Sequence, residues 1–106
     1  MNELKLGDLT INLKTQQVYR KGKKIDLRKK EYQLLEFLAI NKNKVVNRLT
    51  ILEYVWNYEL GMESNTLEVH MAGLRRKLHP DYTKTNIETI HGLGYKLREL
   101  GPPALA

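Results

Sequence analysis

With three histidines, His70, His79 and His91, and no cysteine, this 106-residue chain has little to offer to zinc or thiol chemistry. Disulfides, thiolate zinc sites and cysteine nucleophiles are thereby excluded. The histidines fall in separate segments without the carboxylate spacing a metal needs. No carboxylate pair or nucleophile–base pair stands at a useful interval either. A chain this short buries only about 60–65% of its unfolded surface, too little to close a deep cleft around a substrate. Neither an enzyme nor a cofactor is expected. What the chain has in excess is positive charge: 18 Lys and Arg against 12 Asp and Glu, a formal net charge of +6. That balance favours an anionic partner, most often nucleic acid and sometimes a membrane surface.

The basic residues gather where they could meet phosphate. Projected at about 100° per residue, the stretch 65–78 separates into two faces. Leu67, Met71, Leu74 and Leu78 form a narrow core stripe. Val69, Ala72, Gly73 and Arg76 fall opposite, with Asn65 and Thr66 at their N-terminal end. That outer face is small, and Gly73 costs roughly 1 kcal/mol relative to alanine inside a helix. Such a helix suits close contact with something. The major groove of B-DNA, about 12 Å wide, admits a helix. There Val69 and Ala72 meet thymine methyls, while Arg75 and Arg76 reach phosphates or guanine edges. Taken alone, Arg75, Arg76 and Lys77 would equally complement the helix dipole, and Gly73 would equally permit close packing within the fold.

A hairpin pattern follows. Ile87 to Ile90 and Tyr95 to Arg98 flank His91, Gly92, Leu93 and Gly94. A wing of this kind beside a groove-bound helix drops a side chain into the minor groove, with Thr89, His91, Lys96 and Arg98 as polar candidates. An ordinary exposed turn is the plainer role for His91. Gly92 and Gly94 lack the strand–loop–helix setting and third glycine of a phosphate-cradling loop. A third basic cluster, Arg20, Lys21, Lys23, Lys24, Arg28, Lys29 and Lys30, reads either as a solvated face or as phosphate contacts around a helix N-terminus.

These residues need a scaffold, and the hydrophobic pattern supplies one. Leu4 to Leu6, Leu9 to Leu13, Gln17 to Tyr19 and Lys24-Ile25 alternate at period two with turn residues between them, the signature of a four-stranded antiparallel sheet. After Leu27 the period becomes helical: Tyr32, Leu34, Leu35, Phe37, Leu38 and Ile40 line a first helix. Asn47 caps a second through Leu49, Ile51, Leu52, Val55 and Trp56. Ser64 or Asn65 caps the third, with Glu68 placed to close a capping box on Asn65. His79-Pro80 stops it. The order is sheet, three helices, hairpin: an α+β domain over 1–100. Residues 101–106 read as a disordered tail, with vector sequence as one source. No apolar run nears the roughly 20 residues of a membrane span, and the N-terminus lacks signal-peptide order; a cytoplasmic domain without membrane contact is expected.

The residues quoted above resemble the C-terminal effector domain of OmpR/PhoB-type response regulators. The resemblance runs from about Leu4 to Leu97. It is carried by Leu27 with Glu31, Tyr32, Leu34 and Leu35; by Val45 to Arg48; and by Leu52 with Val55 and Trp56. Its most specific parts are Val69-His70 with Arg75 to Leu78 and the run Thr89-Ile90-His91-Gly92 with Gly94-Tyr95. It implies a winged helix-turn-helix fold that binds double-stranded DNA and regulates transcription, pairing head-to-tail on direct-repeat half-sites. By position, Asn65, Thr66, Val69, His70, Ala72, Gly73, Arg75 and Arg76 would face DNA, and Thr89, His91 and Lys96 would lie near the minor groove or its phosphates. Asn57, Tyr58, Glu59, Leu60, Gly61, Met62 and Glu63 would form the loop that contacts RNA polymerase. The family's N-terminal receiver domain is missing, as expected for a fragment of a two-domain regulator; a membrane-bound one-component activator is the alternative parent. The chain departs from the family where Ala72 and Gly73 replace larger polar or basic residues, where His91 stands for Arg, and where Arg28 stands for Thr. Fewer base hydrogen bonds, more reliance on DNA shape and a different cap on the first helix follow.

Two other classes remain on the residues alone. A winged-helix module could dock the small-faced helix on a protein. A single-strand or RNA binder would instead want exposed stacking aromatics. Trp56 and Phe37 are placed in the core, which leaves Tyr58 as the exposed exception.

Overall fold

A computed structural model describes residues 2–59, 61–79 and 86–98. Leu60 of the expected polymerase loop and the expected tail over 101–106 lie outside the described residues.

The N-terminal sheet is a meander of β1 (Glu3–Leu6), β2 (Leu9–Asn12), β3 (Gln17–Arg20) and β4 (Lys23–Ile25), paired in that order and antiparallel throughout. Its register places Leu4 opposite Ile11, Ile11 opposite Val18 and Val18 opposite Ile25. One apolar row thus crosses all four strands, which is what period-two alternation requires when a single face is buried. The β3–β4 turn holds both of its central residues, Lys21 and Gly22, at positive φ (51° and 78°), so its twist matches that of the flanking strands.

Helix α1 (Lys29–Ile40) buries Tyr32, Leu34, Leu35, Phe37, Leu38 and Ala39 against the sheet and the other helices. Ile40, expected in the same stripe, is exposed at the helix end. Asn47 caps α2 (Arg48–Ile51) as expected, its Oδ1 accepting from the Thr50 amide at 2.8 Å. The helix then widens into a π-helical stretch over Leu52–Trp56, which turns Ile51, Leu52, Val55 and Trp56 inward while Leu49 stays 63% exposed. Helix α3 (Thr66–Leu78) inserts Leu67, Met71, Leu74 and Leu78 into the core, as the projection requires.

The wing pairs β5 (Ile87–Ile90) with β6 (Gly94–Leu97). On its other side β6 is stitched to the chain ahead of α2: Val46 and Tyr95 exchange two backbone hydrogen bonds of 2.8 and 2.9 Å. Gly94 makes that stitch possible. A Cβ there would sit 2.1 Å from the Val46 carbonyl oxygen, closer than any side chain tolerates. Ile87 and Leu97 anchor the hairpin root in the core.

Candidate nucleic-acid interface

Helix α3 is gripped on three sides, and the fourth is open. At about 100° per residue, Ala72, Asn65, Arg76 and Val69 fall within a strip about 60° wide, opposite the core stripe. All four are exposed. Val69, with half of its surface in solvent, is a large apolar side chain without cover. The strip ends in a cation, Arg76, that is exposed and has no ion-pair partner among the described residues. It is narrower than the sequence suggests because the helix's neighbours claim both flanks.

The flank toward α1 is built around Glu31, which is completely buried. Spacing alone puts Glu31 on the apolar stripe of α1, three and four residues before Leu34 and Leu35. Its carboxylate accepts from the Arg28 amide at 2.8 Å, from the Arg28 guanidinium at 3.0 and 3.2 Å, and from Lys77 Nζ of α3 at 2.6 Å. Burial by itself would raise the Glu31 carboxyl; Lys77 and Arg28 together outweigh it and hold the group below its ordinary value. Arg28 therefore closes the helix start through its own charge, a different cap from a threonine hydroxyl. Gly73 belongs to this flank. A Cβ at Gly73 would lie 2.6 Å from Glu31 Oε2, so Gly73 is buried against α1 and does not face outward. The expectation that it lines the DNA face is corrected: the missing side chain makes room for the carboxylate and its cations.

The flank toward α2 and the wing carries Glu68 and Arg75. Glu68 does not close a capping box on Asn65, whose side chain makes no cap hydrogen bond. Its carboxylate instead receives the Arg48 guanidinium at 2.9 and 3.2 Å, and that ion pair holds Glu68 below its ordinary value. Arg75 is half-buried, not outward. Its Nη2 donates to the Ile87 carbonyl at 3.2 Å and to the Thr89 hydroxyl at 2.9 Å. The guanidinium carbon lies 5.7 Å from the centre of the Tyr95 ring, within cation–π range. Desolvation there lowers the Arg75 value. The free reach toward phosphates expected of Arg75 is thus corrected to a contact with the wing.

His70 and Thr66 lie half-buried beside the strip. His70 Nδ1 donates to the Thr66 carbonyl at 2.8 Å, and the ring meets Trp56 edge-on at 5.2 Å between centres. The wing carries His91 exposed at its tip, and Leu93 beside it is 63% exposed. Lys96 is half-buried on β6, opposite Glu88. In the early basic cluster, Arg20, Lys24, Arg28 and Lys30 are held by Asp8, Asp26, Glu31 and Glu59 respectively. Four of its seven cations thus have an acidic partner within 4 Å.

The loop after the widened helix opens with two left-handed residues, Asn57 (φ 50°) and Tyr58 (φ 48°). Asparagine tolerates that region; tyrosine is strained in it. The Tyr58 hydroxyl donates to the Leu49 carbonyl at 3.0 Å. Lys30 Nζ bridges the Val55 carbonyl and the Glu59 carboxylate at 2.9 and 3.0 Å, while Met62 packs on the core. The loop is pinned from both sides, and Asn57, Tyr58, Glu59, Gly61 and Glu63 are its exposed residues among those described.

Sequence reasoning missed the Glu31 hub, Arg48 and Tyr95. Glu31 was readable, as the single charge on an apolar stripe; the other two depend on contacts between distant segments. Among the described residues no group of three acids or histidines stands close enough to hold a metal, and no helix is long and apolar enough to cross a membrane.

Residues 22–97 match the family model described as the C-terminal domain of transcriptional regulatory proteins. The response regulator MprA of Mycobacterium avium is 41% identical over 96 residues, 91% of this chain and 42% of that protein. The chain thus spans less than half the length of its curated relatives. The response regulator DrrB of Thermotoga maritima, an OmpR/PhoB homologue, superposes with a TM-score of 0.83 at 35% identity, over 92% of this chain and 44% of that one. The RstA DNA-binding domain of Klebsiella pneumoniae, solved in complex with its RstA box, gives 0.84 at 23% identity, over 94% of this chain and all of that one, and so shares the fold. Sequence and architecture together make this chain a member of the transcriptional regulatory protein C-terminal family, the non-catalytic winged-helix DNA-binding domain of OmpR/PhoB-type response regulators.

Proposed function

We propose that this domain binds specific double-stranded DNA by laying the open strip of α3, Asn65, Val69, Ala72 and Arg76, into the major groove, with the His91 tip of the wing at the adjoining minor groove. The observation that carries it is the strip itself. A helix braced on three sides presents a fourth side of mixed character, with the half-exposed Val69 and the small Ala72 between Asn65 and Arg76, low enough in profile to enter a groove. Arg76 supplies the cation for a phosphate or guanine edge. The reading is supported by the fold shared with the RstA domain, which was solved in complex with its RstA box.

In the parent protein, the domain pairs head-to-tail on direct-repeat half-sites in the cytoplasm. A receiver domain controls that pairing, and the strained loop, with Tyr58, Gly61 and Glu63 among its exposed residues, touches RNA polymerase. The support for this part is family membership and the likeness to MprA and DrrB over less than half of their lengths.

The test is a salt titration of binding to a duplex selected from a random library, against a scrambled duplex of equal length. Each neutralised phosphate contributes about −0.9 to the slope of log affinity against log salt. A preference on the order of 10³ for the selected duplex, with two half-sites one helical turn apart, is the expected result. One shared steep curve with no consensus would reduce the basic charge to a non-specific footprint.

A further inference from the structure

We propose that Arg75 is a positioning residue: it sets the wing against the recognition helix, and through the wing decides base preference at the minor groove beside each half-site. This rests on the DNA-binding reading above.

The wing is braced unequally. Strand β6 has β5 on one side and Val46 on the other. Strand β5 is the outer one, and no backbone partner lies on its far edge among the described residues. The Arg75 guanidinium takes that place, donating from one nitrogen to the Ile87 carbonyl and to the Thr89 hydroxyl while lying against the Tyr95 ring. Tyr95 is in turn the residue that β6 uses to join Val46. One guanidinium therefore touches both strands of the hairpin, two residues short of the His91 tip. Leaving for a phosphate would abandon an edge carbonyl and expose the aromatic contact. Arg76, one residue on, is exposed and free to make the phosphate contact instead. Lysine cannot stand in for Arg75, since its ammonium could meet the two acceptors but lacks the flat, weakly hydrated guanidinium that lies over the Tyr95 ring.

The experiment measures affinity over a salt series for the selected duplex and for one changed only at the base pairs under the wing. The proteins are the unaltered domain, Arg75→Ala, Arg75→Lys, Thr89→Val, the Arg75→Ala/Thr89→Val double variant and Arg76→Ala, each checked by its melting temperature. The expected result is that Arg75→Ala, Arg75→Lys and Thr89→Val each erase at least threefold of the discrimination under the wing, and that the double variant loses no more than Arg75→Ala alone. Arg76→Ala should instead lose about 0.9 of salt slope with that discrimination intact. An Arg75→Lys protein indistinguishable from the unaltered one, or losses that add in the double variant, would overturn the assignment and make Arg75 and Thr89 independent contacts. If Arg75→Ala melts out, Thr89→Val carries the test, because it removes the acceptor without touching charge. An unaltered domain with no duplex preference would sink the DNA-binding reading itself, an outcome visible before any variant is compared.

Discussion

The two flanks of α3 are fastened by opposite means. Toward α1, a fully buried carboxylate, Glu31, collects an amide, a guanidinium and an ammonium. Toward the wing, a half-buried guanidinium, Arg75, reaches neutral acceptors and a ring. The first is a charge-dense joint between two rigid helices, and its loss leaves an uncompensated group in the core. The second ties a rigid helix to a hairpin edge, and its loss leaves the core intact and a surface element free to shift. One flank thus bears on whether α3 is held at all, the other on where the wing lies once it is held. The open strip between them is left for a partner.

Gly73→Glu should be the most damaging single change to the α1 flank. It drives a second carboxylate into the space beside Glu31, and the combination of overpacking and buried like charge is expected to cost about 3–5 kcal/mol. Chemical denaturation would measure it. An unchanged melting temperature would mean that Gly73 is not buried against α1 and would return it to the outer face.

Glu31→Gln keeps the shape and removes the charge. A loss of about 2–3 kcal/mol at neutral pH is expected from weakened charge-assisted hydrogen bonds in a buried site. The pH dependence has a definite sign. Because Glu31 is held below its ordinary value of 4.5, its contribution is fully present above that value and is lost as pH falls through the lower, folded one. The parent domain should therefore lose stability below about pH 4.5 more steeply than Glu31→Gln. Parallel acid profiles by circular dichroism would remove Glu31 from the joint.

Ala72→Glu tests the strip between the flanks. Ala72 is exposed, so the fold should accept glutamate. Duplex affinity should nevertheless fall by about 2 kcal/mol, roughly thirtyfold, as a carboxylate meets phosphates. Fluorescence anisotropy alongside a melting curve separates the two effects, and a variant that binds normally would take this face out of the groove. Arg76→Ala is the smallest change, about 1 kcal/mol of affinity and close to 0.9 of salt slope, with no effect on melting. A slope that does not move would deny Arg76 its phosphate.

Much of this is legible in the sequence. The period of two through Ile11 and Val18 gives the sheet, and the period of 3.6 through Leu67, Met71, Leu74 and Leu78 gives the core side of α3, because burial of one face is imposed by water and recorded in spacing. Asn47 as a cap and Trp56 as core were equally readable, and so, in principle, was Glu31. The errors sit on the flanks. A helical projection separates inside from outside but cannot say which neighbour covers the sides. Gly73, about 130° from the core stripe by that projection, therefore falls on the open face, and Arg75, about 70° from it, is free to reach phosphates or guanine edges. The sequence by itself determined the elements, their order, the core stripe and the basic balance, since these follow from local periodicity and composition. Only the tertiary structure decided that Gly73 yields its space to Glu31, that Arg75 serves the wing and that Arg76 is left outward. Those choices depend on segments 12 to 46 residues apart in the chain meeting at hydrogen-bond distance, and no local pattern records that.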